Sequence, residues 1–254
     1  MIERKMKAGN LDVKIYDSRD EMGRAAAADV ACCIKEKLSE KQDIYMIFAA
    51  APSQNEFLKA LSETEGIEWG RVHALHMDEY LNLPADAPQG FGNFLRNAIF
   101  SKVPFASVNY IGSEGNPEDV CRNYDSLLKT VDIDIVCMGI GENGHIAFND
   151  PHVADFNDSQ RIKIVDLDIT CRMQQVHDGC FDKLEDVPQY AVTLTIPEMM
   201  SASNIFCIVP AVTKARAVKA TVEGPVSESC PASVLKTHPN AVLYADCDSA
   251  ALLN

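Results

Sequence analysis

The sequence predicts an α/β fold, a single doubly wound and mainly parallel sheet with helices on both faces. One observation is the alternation of short apolar runs with longer amphipathic segments along the whole chain. A second is the run Ile44–Ala49, which is apolar at every position, as expected of a parallel strand buried on both faces. No linker or internal repeat divides the chain, so residues 1–254 are predicted to form one domain.

The pattern begins with a strand at Leu11–Tyr16. Ser18 then starts a helix, with Glu21 placed to complete a capping box, and Ala25–Leu38 continues that helix at helical spacing. The elements that follow are a strand at Ile44–Ala49, a helix from about Pro52, a strand at Val72–Met77, a helix at Phe94–Phe100 and an extended segment at Val108–Ile111.

A further helix is predicted after Asn116, which precedes Pro117 and two acidic residues of a first helical turn. The remaining strands are predicted at Ile133–Met138, Arg161–Asp166, Tyr190–Leu194, Ile205–Val209 and Ala241–Tyr244, with a helix at Thr213–Val222 between the last two. Ligands of doubly wound sheets bind outside the carboxyl ends of the strands. We therefore expect the chemistry just after Ala49, Met77, Met138 and Val209.

Charge and cysteine content limit the partners and the compartment. The formal net charge of −14 repels phosphate backbones and anionic lipid, so neither nucleic acid nor a membrane surface is an expected partner. No apolar run approaches the roughly 20 residues of a membrane-spanning helix. The nine cysteines are scattered without a C-x-x-C pair, which predicts reduced thiols and a cytoplasmic protein.

The first candidate for chemistry is Asp78, in the segment His76-Met-Asp-Glu-Tyr80 at the end of a predicted strand. A carboxylate that faces a cleft there can act as a general base, whereas the alternative is that Asp78 caps the following turn. Strand alternation places His76 and Asp78 on one face. His73 and His76 fall on opposite faces, so we predict no metal site at these residues.

The second candidate is the loop with Gly139, Gly141 and Gly144, which leads into His145 and Asp150. Glycines allow a backbone to approach a ligand closely, and the imidazole has a carboxylate nearby as a possible partner. The alternative is a structural turn. Asn149-Asp-Pro151 interrupts the long helix that a dinucleotide site requires, so no such cofactor is predicted.

The third candidate is an anion site in the turn that enters the helix near Pro52. Backbone N–H groups from Ala50 through Ala51 and Ser53 to Gln54 can receive a phosphate at a helix N-terminus. Lys214, at the start of another helix that follows a strand, can supply the positive charge. An ordinary helix start and a solvated lysine are the alternatives.

Taken together, His76–Tyr80 and the run Gly139-Ile-Gly-Glu-Asn-Gly-His-Ile-Ala-Phe-Asn-Asp-Pro151 resemble the glucosamine-6-phosphate deaminase (isomerase) family. The similarity is nearly chain-wide and also covers Arg161–Lys163, Val187–Ala191, the Lys214 helix through Gly224, and Pro231 to Pro239. The sequence departs from the usual pattern of the family at two residues and one loop. Many members carry Asp at Asn143 and Glu at Asp150, and the usual phosphate loop G-G-T-P reads Ala49-Ala-Ala-Pro52 here.

The resemblance implies an enzyme that isomerises and deaminates an amino-sugar 6-phosphate, with no metal or redox cofactor. His145, oriented by Asp150, would shuttle the ring proton, and Asp78 would move a proton from C2 to C1 of the sugar. The implied catalytic set is Asp78, Asn143, His145 and Asp150, and the implied substrate-binding set is Ala50, Ala51, Ser53, Gln54, Gly141, Gly144 and Lys214. The family also implies a homo-oligomer.

Two other functions fit the same pattern of residues. One is a 6-phosphogluconolactonase-like hydrolase, although that class typically continues its glycine loop toward Ser-Leu-Phe and carries Asp-Glu-Arg where this chain has Asp78–Tyr80. The other is a sugar-phosphate sensor that binds without turnover. The sugar is open between glucosamine 6-phosphate and galactosamine 6-phosphate.

Overall fold

The computed structural model describes residues 2–254, with strands in two sheets. In chain order the strands are β1 (Ile2–Ala8), β2 (Leu11–Tyr16), β3 (Ile44–Phe48), β4 (Val72–His76), β5 (Asp78–Tyr80), β6 (Ser107–Asn109), β7 (Ile135–Met138), β8 (Ile162–Asp166), β9 (Tyr190–Leu194), β10 (Asn204–Val209) and β11 (Ala241–Asp246). The main sheet has the order β1-β2-β11-β10-β7-β3-β4-β6. Only the β1–β2 pair is antiparallel in it, so the prediction of a mainly parallel sheet is confirmed.

Helices cover both faces of the main sheet. They are α1 (Arg19–Glu40), α2 (Asn55–Ser62), α3 (Phe91–Leu95), α4 (Pro117–Leu128), α5 (Ile169–His177), α6 (Ile196–Met200) and α7 (Ala215–Glu223). Side chains of α1, α2 and α3 pack in one apolar core and those of α4, α6 and α7 in another. Strand β10 contributes Phe206 to the first core and Cys207 to the second, as the alternation of a doubly wound strand requires.

The starts of helices α1 and α4 were predicted correctly from their capping residues. The Ser18 hydroxyl accepts a hydrogen bond from the Glu21 N–H at 3.3 Å and starts α1. Asn116 accepts from the N–H groups of Glu118 and Asp119 at 2.8 and 3.3 Å and starts α4. These side chains satisfy donors that a helix leaves free in its first turn.

The structure differs from the expected single sheet in one respect. Strands β8 and β9 exist as predicted, but they pair with each other and with β5 in a separate three-stranded antiparallel sheet. The predicted Val72–Met77 strand ends at His76, and after a bend at Met77 the chain enters β5, where Asp78 pairs with Thr193. Three elements, β1, β5 and α6, were not expected from the sequence.

The described residues contain no helix with both the length and the apolar character needed to cross a membrane. Each of the nine cysteines is a free thiol, and four of them are buried (Cys33, Cys137, Cys171 and Cys207).

Candidate active site

A cleft opens at the carboxyl ends of four adjacent strands of the main sheet, β10, β7, β3 and β4. Its empty volume, including space open to solvent, is about 480 Å³. The lining comes from the turn after β3, the start of β5, the loop after β7, α5 and the segment before α7. The residues that line the cleft are Ala49, Ala50, Ala51, Ser53, Gln54, Met77, Asp78, Phe91, Gly139, Ile140, Gly141, His145, Ala147, Phe148, Gln174, Gln175 and Lys214. The cleft therefore lies where the sequence predicts the chemistry, at the carboxyl ends of these strands.

His145 is held by two side chains that lie behind it. Its Nδ1 is 2.8 Å from Asn143 Oδ1 and 3.0 Å from Asp150 Oδ1. Both neighbours are acceptors in this contact, so the proton resides on Nδ1 and the lone pair of the neutral ring is on Nε2. Burial would raise the pKa of Asp150, but hydrogen bonds from His145, Asn143 and the Asp168 N–H outweigh burial and hold it below its ordinary value.

Asn143 connects two carboxylates that would otherwise repel each other. Its amide nitrogen donates to Asp150 Oδ1 at 2.9 Å and to Asp168 Oδ2 at 3.1 Å, and its Oδ1 also accepts from the His145 N–H at 3.0 Å. Asp168 in turn caps α5 by accepting from the Cys171 N–H at 2.7 Å. Sequence reasoning missed Asp168, although Asp is one of the residue types preferred at helix caps.

Two glycines of the loop after β7 have different roles. A Cβ on Gly141 would lie 2.1 Å from His145 Cε1, so the imidazole packs where any other side chain would begin. Gly144 has φ of +87° and faces Cys230, whose Sγ would be 2.9 Å from an added Cβ. Gly144 does not line the cleft, so its expected part in substrate binding is corrected to a conformational one.

Asp78 is 6% exposed and lines the cleft, and no residue in the described part of the chain donates a hydrogen bond to its carboxylate. Burial first, and then the charge of Glu79, raises the pKa of Asp78 well above its ordinary value. Asp78 does not cap the following turn, because it begins β5. The bend at Met77 also interrupts the alternation expected between His76 and Asp78.

Glu79 is a buried carboxylate that sequence reasoning did not use. It accepts hydrogen bonds from the backbone N–H groups of Tyr80, Phe91 and Gly92 at 2.9, 3.0 and 2.8 Å. Burial raises the pKa of Glu79, and these three hydrogen bonds oppose that effect. The contacts attach the start of α3, including the cleft residue Phe91, to β5.

Lys214 is 4% exposed, and its ammonium group has no hydrogen bond or ion pair with any of residues 2–254. Burial lowers the pKa of Lys214, and the charges of Asp178 and Glu142 oppose that shift. A buried cation without a partner is costly unless a ligand supplies the opposite charge. This ammonium therefore marks a place for an anion.

The turn after β3 supplies donors to the same cleft. Within the described chain, the N–H groups of Ala50, Ala51 and Ser53 donate to no other residue. Gln54 is a correction: its N–H donates to the Ala51 carbonyl at 2.9 Å, because the turn is a 3₁₀ helix. The Gln54 side chain instead fastens the turn to β10, with Nε2 donating to the Ile208 carbonyl at 3.0 Å.

Asp246 fixes the backbone that precedes Lys214. Ala211 has φ of +84°, and its N–H donates to both carboxylate oxygens of Asp246 at 3.1 and 3.2 Å. Asp246 is only 2% exposed and ends the neighbouring strand β11. Nothing in the sequence pattern pointed to it. Gln174 and Gln175 of α5, which close one side of the cleft, were missed as well.

Some side chains have the composition of a metal site. The possible ligand atoms of His145, Asp150 and Cys171 lie within 4.8 Å of one another, as do those of Asp150, His152 and Asp168. In both groups Asp150 is already engaged by Asn143 and the Asp168 N–H. His73 and His76, at which no metal site was predicted, have other contacts. The His76 ring contacts backbone atoms, and His73 Nδ1 is 2.8 Å from Ser107 Oγ. The absence of a metal stays a prediction.

The fold and the cleft define a class of protein, an α/β enzyme with acid–base side chains and a buried cation at the carboxyl ends of parallel strands. The model of the family described as glucosamine-6-phosphate isomerases/6-phosphogluconolactonase matches residues 17–244. The chain belongs to this family.

Individual relatives agree with that assignment. Glucosamine-6-phosphate deaminases from Bacillus cereus strain B4264 and Bacillus anthracis strain CDC 684 are each 35% identical over 188 residues, which is 73% of this chain and 70% of theirs. A solved structure described as a monomeric glucosamine-6-phosphate deaminase of the NagB superfamily has a TM-score of 0.85 at 28% identity, covering 97% of this chain and 100% of its own.

A second solved structure shares the fold alone. The 6-phosphogluconolactonase from Thermotoga maritima superposes with a TM-score of 0.76 at 18% identity, covering 92% of this chain and 98% of its own. The homo-oligomer expected from the resemblance stays a prediction, since the more similar solved structure is described as monomeric.

Proposed function

We propose that the enzyme isomerises and deaminates an amino-sugar 6-phosphate, releasing ammonia and a ketose 6-phosphate. The observation that carries the proposal is the unpartnered, buried ammonium of Lys214 beside the free N–H groups of Ala50, Ala51 and Ser53. Together they provide one positive charge and several donors for a phosphate. The same cleft holds a base, Asp78, so a bound sugar phosphate would have its carbon chain beside groups that move protons.

Ring opening is the part of the reaction assigned to His145. Its Nε2 lone pair takes the proton of the C1 hydroxyl, and the imidazolium then passes that same proton to the ring oxygen as the C1–O5 bond breaks, which opens the pyranose to the aldehyde form of the sugar. The Nδ1 proton shared with Asn143 and Asp150 keeps the ring in the required tautomer, and the negative charge of Asp150 stabilises the imidazolium. Gly141 leaves the space that the imidazole occupies.

Isomerisation is assigned to Asp78. Its ionised carboxylate removes the C2 proton, and the electrons of that bond form an enolamine whose negative charge lies on O1. The acid then returns the proton to C1, and transfer of one amino proton to O1 leaves an imine at C2. Addition of water to the imine expels ammonia and gives the ketose. A raised pKa suits both halves of this transfer, because the carboxylate is a stronger base and its acid form persists long enough to protonate C1.

The test is a coupled assay for ammonia and ketose 6-phosphate from glucosamine 6-phosphate, run beside galactosamine 6-phosphate. Turnover of either sugar that disappears in Asp78→Asn supports the reaction, and the ratio of the two rates identifies the epimer. Inorganic phosphate is the matched binding probe, because Asp78→Asn is expected to keep its affinity. Hydrolysis of a 6-phosphogluconolactone instead, or binding without any turnover, would contradict the proposal.

We also propose a cytoplasmic location and a homo-oligomer as the finer parts of this function. The nine free thiols support a reducing compartment. Sedimentation of the purified enzyme at micromolar concentration tests the second point, and a single species at the 27.9 kDa of the chain would contradict it.

A further inference from the structure

His76 is a fully buried histidine next to the proposed base, and its ring is not explained by the proposed reaction. The Nε2 atom accepts a hydrogen bond from the Ile111 N–H at 2.8 Å. The proton of the neutral ring must therefore be on Nδ1, which donates to the Asp78 backbone carbonyl at 2.9 Å. Burial lowers the pKa of His76 to about 4, so the ring is neutral at physiological pH.

The main chain of His76 is fixed independently of this ring. The Tyr124 hydroxyl donates to the His76 carbonyl at 2.9 Å and accepts from its N–H at 3.2 Å. Strand β4 ends here, and the ladder between β4 and β6 stops at the pair Leu75 and Asn109. The imidazole therefore adds something that Tyr124 does not provide, a connection from the Asp78 carbonyl to the segment after β6.

Asp78 needs such a connection because its carboxylate has no hydrogen-bond partner in the described chain. The side chain is held only through its own backbone, which lies directly after the bend at Met77, at the first pair of the β5–β9 ladder. A rotation of the peptide after Asp78 would turn the carboxylate relative to the cleft. A displacement of about 1 Å can reduce the rate of a proton transfer by about 100-fold.

We propose that His76 is a positioning residue for the base: its Nδ1–H holds the Asp78 carbonyl and so aims the Asp78 carboxylate at the substrate carbon. The inference rests on the proposed function for its kinetic consequence, but the geometry it describes does not depend on the sugar. The hydrogen bond to Ile111 has a separate role, which is to select the tautomer that can donate to Asp78.

Two substitutions separate the two hydrogen bonds of the ring. In His76→Asn the amide nitrogen lies at the same distance along the side chain as Nδ1, so it can still donate to the Asp78 carbonyl, and the bond to Ile111 is lost. In His76→Gln the side-chain oxygen reaches the position of Nε2, so it can still accept from Ile111, and the bond to Asp78 is lost. Each variant loses one buried hydrogen bond, which makes them controls for each other in stability.

We expect His76→Gln to lower kcat by about 10- to 100-fold with KM within about threefold of the unchanged enzyme. His76→Asn should keep kcat within about threefold, with a similar fall in Tm. With substrate deuterated at C2, the primary isotope effect should increase in His76→Gln only, because proton removal then limits turnover. Equal losses of kcat in the two variants would overturn the proposal and leave His76 a structural residue.

A measurement without substrate distinguishes failure of this inference from failure of the proposed function. The ¹³C shift of the Asp78 carboxyl is titrated in the unchanged protein and both variants, with inorganic phosphate as the check that the cleft is intact. The titration of Asp78 should move toward the ordinary aspartate range in His76→Gln and stay in place in His76→Asn. An unchanged titration in His76→Gln overturns the proposal, whatever sugar the enzyme uses.

Discussion

Replacing Lys214 by methionine tests the anion site in two directions at once. The ammonium is buried, so the protein without ligand bears a positive charge that no hydrogen bond or ion pair within residues 2–254 balances directly. Lys214→Met keeps most of the apolar stem and removes the charge. We therefore expect the variant to be more stable than the unchanged protein without phosphate and less stable than it when phosphate is saturating.

The expected magnitudes follow from the contacts. Relief of an unpaired buried polar group is worth about 1 kcal/mol, which for a chain of this size raises Tm by about 2–4 °C. Loss of a charge-assisted hydrogen bond to phosphate costs about 1.5–3 kcal/mol, which is about a 10- to 100-fold weaker phosphate affinity. The N–H groups of Ala50, Ala51 and Ser53 remain, so binding is weakened rather than abolished.

Thermal unfolding across an inorganic phosphate series measures both effects. Lys219→Met is the matched control, because Lys219 lies on α7, the helix that Lys214 precedes, is partly exposed and pairs with Glu223. The control should keep the phosphate response of the unchanged protein. If Lys214→Met binds phosphate as tightly as the unchanged protein, or if it loses stability without phosphate, Lys214 is not the cation of an anion site.

Three further substitutions address the acid–base groups. Gly141→Ala places a Cβ 2.1 Å from an atom of the imidazole, so kcat should fall at least about 100-fold with little change in phosphate affinity; full activity in a steady-state assay would contradict the close packing. Asp78→Asn should abolish turnover and raise stability at pH 7. Because the folded-state pKa of Asp78 is raised, its ionisation costs stability as pH increases through that pKa, and the gain from Asn should vanish below the ordinary aspartate range; urea unfolding from pH 3 to 8 would expose the opposite trend. Asn143→Asp installs the residue that many members of the family carry, yet here it removes the donor shared by Asp150 and Asp168, so both Tm and kcat should decrease. Unchanged kinetics and Tm in that variant would mean that the amide is not needed between the two carboxylates.

Local sequence signals predicted those parts of the fold that depend on neighbouring residues. Strands β2 and β9 have the predicted bounds, since turn residues flank each apolar run. The caps at Ser18 and Asn116 were predicted from residue type and spacing. Strand β5 has three residues and no periodicity that can be read, and its partner lies more than a hundred residues away.

The sequence predicted the reactive side chains of the candidate site better than the hydrogen bonds that hold them. Asp78, His145 and Lys214 were found because each follows a strand and has reactive chemistry, and all three line one cleft. The free N–H of Gln54 was a wrong expectation, because whether the turn closes on itself as a 3₁₀ helix depends on tertiary packing. The role of Asp246 could not be predicted for a related reason. Its carboxylate accepts from the N–H of Ala211, which is far from it in sequence.

The proposed base and the proposed anion site are attached to different sheets. Asp78 belongs to the small sheet, while Lys214 and the turn after β3 belong to the main one, and contacts such as Thr193 Oγ1 with the Phe148 N–H, at 3.0 Å, join the two. A small excursion of the antiparallel sheet would move the base and leave a bound phosphate undisturbed. The affinities of inhibitors would therefore depend mainly on the half of the cleft that the main sheet provides. Substitutions along the seam between the sheets are the place to look for variants that change turnover number at constant affinity.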